Sequence, residues 1–432
     1  MKKKIFLLAI TIVGAIAGSS QGAGTGNMAL ENTLLRQRLD QLDKEIQDLR
    51  QSAIQREDVS GTLEHKPVWS SLDIQFYGYL KLDAAYDTSR IETGNYAKWV
   101  TRENQNDDDD QFNMTANETR LGFLINGSEK DGMTTSGKVE VDFYGAGAAE
   151  NKAHLMMRHA YMKLDWKQER FNILAGQTSD VISPLVPGTL NYSVGWWSGN
   201  IGYRRPQIRL TREYSLKDEV NLKLEGALAR TIGRDSVTST DSGEDSGTPT
   251  WQGRASVTLP LINQKKATIG LSAHIGKEEY DLAASGRNTE FDTWSVNLDF
   301  MQPVNEKVSI SAELFKGENL DAYLGGIGQG VNTDTTEAIY YEEINSSGGW
   351  IAACFTPWNN KKFNIGIAMD DVERGEVNDG DRILNRSLFG NIIYSLNKQA
   401  DFGFELSHWR TEYYGSGDAE SLRAQAALIY RF

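Results

Sequence analysis

The sequence is short of the residues that staple small folds or build reactive centres. Among its 432 residues there is one cysteine, Cys354, so no disulfide can close within the chain. That cysteine also lies far from the N-terminal leader, which excludes lipid attachment there. Only five histidines occur, and His154 and His159 lack the spaced partners of a metal site. Beyond Ala23 no Gly-x-Ser-x-Gly occurs, and the chain has no His-Glu-x-x-His. An enzyme reading therefore has no nucleophile or base to rest on, and neither cofactor nor metal is expected. There is also no internal run of 18 or more apolar residues, so no spanning helix. Hydrophobic content is 39%, net charge is -14 and mean hydropathy is -0.48, values that resemble a soluble acidic protein. They do not exclude a membrane, because a barrel strand shows lipid only every second side chain.

What is present begins with Met-Lys-Lys-Lys, an apolar run from Ile5 to Ala17 and a small-residue zone. This is the layout of a secretory signal peptide over residues 1–23, with cleavage between 17 and 23. From Met28 to Ala53 the apolar residues step by three and four. Met28, Leu35, Leu42 and Leu49 take d positions, Leu39, Ile46 and Ala53 take a, and Asn32 is a polar a residue. Such a heptad seam predicts a coiled coil, a rod of roughly 40 Å at about 1.5 Å per residue. So short a coil is marginal alone and needs a large attached body to concentrate its partners.

After a linker at 54–71 the period changes to two and stays there over 72–432. Phe76, Leu80, Leu82 and Tyr86 alternate with Tyr77, Tyr79, Lys81 and Asp83. The same rhythm recurs in Val139/Val141/Phe143 against Lys138/Glu140/Asp142, and in Val296/Leu298/Phe300 against Asn297/Asp299. One oily and one wet face is what a bilayer barrel around water requires. About sixteen such stretches start near residues 74, 113, 135, 156, 170, 207, 220, 251, 267, 292, 308, 349, 363, 384, 401 and 421. Their connections alternate, with long ones near 88–111, 179–205, 232–248 and 318–347 set between tight turns. This asymmetry fits longer outer loops and short periplasmic turns of an outer-membrane barrel. Trp251, Trp294 and Trp350 are expected in an outer aromatic girdle. Trp166, Tyr214, Trp358, Tyr430 and Phe432 are expected in a periplasmic one.

The closing Ala-Leu-Ile-Tyr-Arg-Phe, ending on Phe432, resembles the signal that hands outer-membrane proteins to the barrel-assembly machinery. More specifically, the chain resembles the DcaP-type porins, a family implicated in dicarboxylate uptake. The similar pieces are the heptad segment, Phe76-Tyr-Gly-Tyr-Leu-Lys-Leu-Asp83, Thr119-Arg-Leu-Gly-Phe123, Gly137-Lys-Val-Glu-Val-Asp-Phe-Tyr144, Arg158-His-Ala-Tyr161 and Ala175-Gly-Gln-Thr178. They cover the coiled coil and the first third of the barrel. The resemblance implies a homotrimer, one pore per subunit, an inward-folded third loop and a preference for anionic solutes.

Charge distribution points the same way independently. Residues 158–212 hold eight Lys/Arg against three acids, a local excess of five positive charges in an acidic chain. The stretch contains the long third outer loop, rich in Gly, Pro and aromatics and almost uncharged until Arg204-Arg205. Tyr192, Trp196, Trp197 and Tyr203 would make its body, folded into the lumen. Arg204, Arg205 and Arg209 would then line the constriction, with Arg120 and Arg254 extending the path along the wall. Arg158 joins these candidates for the path, with the rim as the alternative that its shared parity with Ala160 and Met162 leaves open. Guanidinium forks match carboxylates, and rings of Arg or Lys select anions. The bland alternative pairs these arginines with wall acids such as Glu118, Glu140 and Glu213, so that they only brace the loop. Four aspartates at 107–110 read as a solvated loop tip, ahead of a divalent-cation bridge to lipopolysaccharide. Outward Gly78, Ala84, Gly137, Ala424 and Ala426 are expected to pack subunit walls together. The expected surroundings are outer-membrane lipid, lipopolysaccharide and copies of the chain, with no nucleic acid. A general diffusion pore and a structural cell-wall tether are the competing functions.

Overall fold

A computed structural model describes residues 73–432 except 103–108, 146–152, 218, 234–240, 283–286 and 333–341. The leader, heptad segment and linker lie outside the described residues. Sixteen strands form one closed antiparallel barrel. They are β1 (Asp73–Asp87), β2 in two pieces (Gln111–Thr115 and Arg120–Lys130), β3 (Met133–Asp142), β4 (Met156–Trp166), β5 (Phe171–Ser179), β6 (Arg204–Ser215), β7 (Asn221–Ala229) and β8 (Thr250–Pro260). There follow β9 (Lys266–Leu282), β10 (Arg287–Pro303), β11 (Val308–Glu318), β12 (Asn345–Trp358), β13 (Lys361–Val372), β14 (Arg382–Ser395), β15 (Ala400–Tyr413) and β16 (Gly417–Arg431). Every expected start falls within five residues of an observed one. β2 is broken at 116–119, yet both pieces pair with β1.

Closure runs between β1 and β16 in a register from Tyr79↔Arg431 to Asp87↔Arg423. An ion pair locks this seam on the inside, since Arg423 Nη1 lies 2.8 and 3.0 Å from the Asp87 carboxylate oxygens and both side chains are buried. Closing the sheet leaves no unpaired edge for lipid to meet. Phe432 completes it, exchanging backbone hydrogen bonds with Gly78 and packing its ring on Phe76 at 5.1 Å.

The two-residue rhythm is realised as wall and lumen. Leu80, Leu298, Leu314, Ile365 and Leu406 are exposed on the outside, whereas Asp83, Asn297, Asp299, Glu313 and Glu405 are buried inside. In a water-soluble protein that distribution would be inverted; in a bilayer it satisfies both solvents. Trp251, Tyr214, Trp358, Tyr430 and Phe432 stand on the outer surface as expected of girdles. Trp350 does not. It points inward, 3% exposed, and donates Nε1 to Glu313 at 3.1 Å. Its parity with inward Ser346 and Ala352 decides the matter, overriding its position near the strand's outer end. Gly78 is likewise corrected. It is buried, and a Cβ there would sit 2.2 Å from the Arg120 carbonyl oxygen, so its smallness serves this chain's own β1–β2 contact.

Candidate functional site

The long third outer connection, residues 180–203 (L3), leaves β5 and crosses the lumen. Its backbone is tied to side chains of the far wall. Leu185 N–H donates to Glu313 at 2.7 Å, Leu190 N–H donates to Glu405 at 2.7 Å, and Thr189 Oγ1 donates to the same carboxylate at 2.7 Å. The Gly188 carbonyl accepts from Asn391 and the Leu190 carbonyl from Lys81 and Gln425. A buried loop needs such partners for its backbone polar groups. These attachments span β1, β11, β14, β15 and β16, so L3 is a crossbar.

Two further connections fold in beside it. In residues 88–110 (L1), Ala97 exchanges hydrogen bonds with Asn191 of L3 at 2.9 and 3.1 Å. In residues 319–344 (L6), Leu320, Tyr323, Leu324 and Ile327 are almost fully buried, and Ile182, Ile201 and Phe315 pack with them. The sequence reading treated 318–347 as a polar outer loop and missed this second plug. Its apolar stretch at 320–327 was the available signal.

Between L3 and the strands β2, β4 and β6 lies a cavity of about 230 Å³ lined by Arg120, Arg158 and Arg204 together with Glu118, Tyr192, Trp196 and Tyr203. Three of the six expected arginines therefore converge. Arg158 donates to Glu140 at 2.9 Å and to Asp142 at 2.6 Å. Arg120 stands 3.6 Å from Glu140, over the Tyr79 ring, and Lys138 stands 3.2 Å from Glu140. Arg204 differs from both. It is buried, its guanidinium lies over Trp196 and Tyr203 at 5.6 and 5.0 Å, and Nη2 has no hydrogen-bond partner. Among the described residues it makes no ion pair. Three lining cations (Arg120, Arg158, Arg204) thus face two lining acids, Glu118, held by Lys81 and Tyr79, and Asp180, held by Arg205, while Glu140 and Asp142 beside them engage Arg120, Lys138 and Arg158. Tyr192 donates to Asp142 at 3.1 Å; burial pushes its phenol above the ordinary range and keeps it a neutral donor.

Arg158 faces the cavity and not the rim that its parity left open. The β3–β4 register jumps from Glu140↔His159 to Val141↔Met157, so Arg158 is the extra residue of a β-bulge. A bulge re-aims side chains and resets the alternation beyond it. The other three arginines do not line the cavity. Arg205 is fully buried beneath it, 2.8 Å from Asp180 and stacked over Tyr323 at 4.0 Å. Arg254 is spent on the wall, bidentate to Asp299 at 2.7 and 2.9 Å and 3.2 Å from Glu225. Arg209 is turned to Gln207 and the Ser179 carbonyl. The bracing alternative describes these three and, through their pairs with Glu140, also Arg120 and Arg158; among the described residues Arg204 is the one of the six without a carboxylate partner. Trp197 packs with Trp196 and Leu324, joining L3 to L6 instead of facing the cavity. Lys138 was overlooked as a site residue, although its inward parity beside Glu140 was visible.

A closed sixteen-stranded barrel with an oily exterior, a charged interior and a loop across its lumen defines an outer-membrane porin. Over residues 26–233 the chain is matched by the model of the DcaP outer membrane protein family, the family its N-terminal motifs resemble. The structure is similar to the outer membrane channel DcaP of Acinetobacter baumannii, with TM-score 0.69, 20% identity, and coverage of 86% of this chain and all of that one. It is also similar in fold to an anion-selective porin from Comamonas acidovorans (TM-score 0.51, 12% identity, 84% of this chain and 100% of that one). The trimer form of OmpT of Vibrio cholerae gives TM-score 0.50 at 10% identity, over 84% of this chain and 100% of that one. No match was found among curated proteins.

Proposed function

We propose that the porin passes small anionic solutes passively, with dicarboxylate-like molecules as the class it fits best. Arg204 carries this reading. It is a guanidinium without a counter-ion, stacked on two aromatic rings at a cavity where cations outnumber acids. A solute carboxylate supplies the missing charge and can engage the fork bidentately. Arg158 is held by Glu140 and Asp142, and Arg120, 3.6 Å from Glu140, is the second guanidinium facing the cavity. A second carboxylate on the same solute finds Arg120 across the cavity.

The test is the reversal potential in a salt gradant-imposed bilayer, for the wild type and for Arg204→Ala. Anion selectivity that falls at least severalfold in the variant is expected. Cation selectivity in the wild type, or an unchanged variant, removes the assignment in favour of a general diffusion pore. No steady current at all favours the tether.

The same reading takes residues 1–23 as an export leader and 28–53 as a periplasmic coiled coil that supports a trimer. It takes Phe432 as the residue offered to the assembly machinery. The leader layout, the heptad spacing and the terminal aromatic support these assignments.

A further inference from the structure

The two acids beside the cavity hold an arginine as a solute's carboxylates would. Glu140 and Asp142 are both buried and share the lumen face of β3, about 7 Å apart along the strand at 3.3 Å per residue. Their oxygens nevertheless converge on one guanidinium. Arg158 donates Nε to Glu140 at 2.9 Å and Nη1 to Asp142 at 2.6 Å. The second Glu140 oxygen accepts from the Tyr77 hydroxyl at 2.7 Å and lies 3.2 Å from Lys138. The second Asp142 oxygen accepts from the Tyr144 N–H at 3.2 Å. Tyr192, carried by L3, donates at 3.1 Å to the same Asp142 oxygen that Arg158 takes. Wall and crossbar together therefore fix both carboxylates on Arg158.

For a permeating carboxylate the consequence is geometric. A guanidinium grips a carboxylate best through two parallel N–H groups on different nitrogens. With Nε and Nη1 engaged by the wall, Arg158 offers a solute Nη2 alone, the one nitrogen that makes no hydrogen bond among the described residues. Arg120 Nε stands 3.6 Å from Glu140, beyond hydrogen-bond length, and has no hydrogen-bond partner. Arg204 has no carboxylate at all among the described residues, so the cavity joins one open fork to one that already holds two acids. A pore needs both kinds of contact, since a solute must bind well enough to enter and weakly enough to leave.

We propose that Glu140 and Asp142 act as a built-in dicarboxylate, which competes with the solute for Arg158 and so shortens its stay at the cavity. The first carboxylate of a solute engages Arg204, and the second meets a guanidinium that the wall has already claimed. Tyr77 and Tyr192 are positioning residues that hold the competing acids in place. The inference rests on the anion reading above and adds to it the groups that set release.

The experiment records single channels in planar bilayers with glutarate or butyrate added on one side. It reads the reversal potential and the lifetime of solute-induced current interruptions. Asp142→Asn and Glu140→Gln keep side-chain size and the acceptors for Tyr144 and Tyr77 while removing the competing charge. The control is Glu225→Gln. Glu225 faces the lumen from β7 and pairs with Lys223 and Arg254 at 2.9 and 3.2 Å, so its loss changes lumen charge equally without touching Arg158. Glutarate interruptions are expected to last on the order of tenfold longer in the two wall variants, the worth of one charge-assisted hydrogen bond regained. Butyrate interruptions lengthen far less, and Glu225→Gln leaves both as in the wild type. Retained heat-modifiable mobility shows that the variants are folded. Equal lengthening for butyrate, or in Glu225→Gln, reduces the effect to lumen charge and overturns the proposal. Unchanged lifetimes in both wall variants overturn it too, leaving Glu140 and Asp142 as braces. A cation-selective wild type fails the anion reading and carries this proposal with it, whereas anion selectivity with unchanged lifetimes overturns this proposal alone.

Discussion

At the scale of single residues, charge alone does not tell a pore-lining arginine from a structural one; the partners do. Arg204 and Arg205 are neighbours in sequence with opposite surroundings: Arg204 has no ion pair among the described residues, and Arg205 has one. Arg205 is wedged between Asp180 and Tyr323, and the other face of the Tyr323 ring stacks on His274 at 3.9 Å. Asp180 keeps other donors, the Tyr203 N–H and Gln252 Nε2, both at 2.8 Å. Arg205→Ala strips the cation from a fully buried pair, a change that typically costs about 3–5 kcal/mol. The expected outcome is a marked fall in the temperature at which the barrel loses its heat-modifiable mobility, with Arg204→Ala shifting it far less. Equal shifts in the two variants would show that Arg205 is not the clamp. Sequence reading grouped these two because adjacency and charge were all it could see. Arg158 shows a second limit. Alternation assigns sides only while the count is unbroken, and the extra residue opposite the Glu140–Val141 step, Arg158 itself, reverses it.

At the scale of elements, strands were more legible than loops for a physical reason. Lipid on one side and water on the other impose a period of two on every strand, and that signal survives any particular choice of side chain. Edges drift where strands run on past the membrane, as in the hairpin of β9 and β10, each 17 residues long. Loops have no such period. L3 was readable from its lack of charge, whereas L6 was masked by polar residues flanking its apolar centre. The crossbar depends on few contacts at its far end. Glu405, buried on β15, accepts from Thr189 Oγ1, Leu190 N–H and, at 2.8 Å, Asn391 Nδ2. Glu405→Ala frees that end of L3 and leaves a buried N–H unpaired, a penalty of about 1–3 kcal/mol. Single-channel recordings should then show larger and noisier conductance steps, and Glu405→Gln should recover most of the wild-type step. An unchanged step in the alanine variant would mean that L1 and L6 alone hold the crossbar.

At the scale of the whole molecule, closure and assembly are separable. Among the described residues the barrel seals through the β1–β16 register, Tyr79↔Arg431 to Asp87↔Arg423, and its Arg423–Asp87 pair. The heptad stretch at 28–53 would instead raise the local concentration of barrels for one another, an effect that adds affinity without new wall contacts. Outward Ala84 and Ala426 pair directly across the β1–β16 seam, and Ala424 lies opposite Tyr86 there. Flat, small surfaces of this kind allow close approach of a second wall. Removing 28–53 behind an intact leader is therefore expected to weaken the oligomer on native electrophoresis and in cross-linking. Each pore should keep its conductance step and its reversal potential. Replacing Ala84 and Ala426 by leucine tests the wall contact separately, since bulk there opposes association while leaving the heptads whole. If the shortened chain forms oligomers as heat-resistant as the full one, the wall contact is sufficient and the coil has another task. If it inserts without conducting, the segment before Asp73 shapes the lumen after all, and the barrel cannot be treated as a self-contained pore.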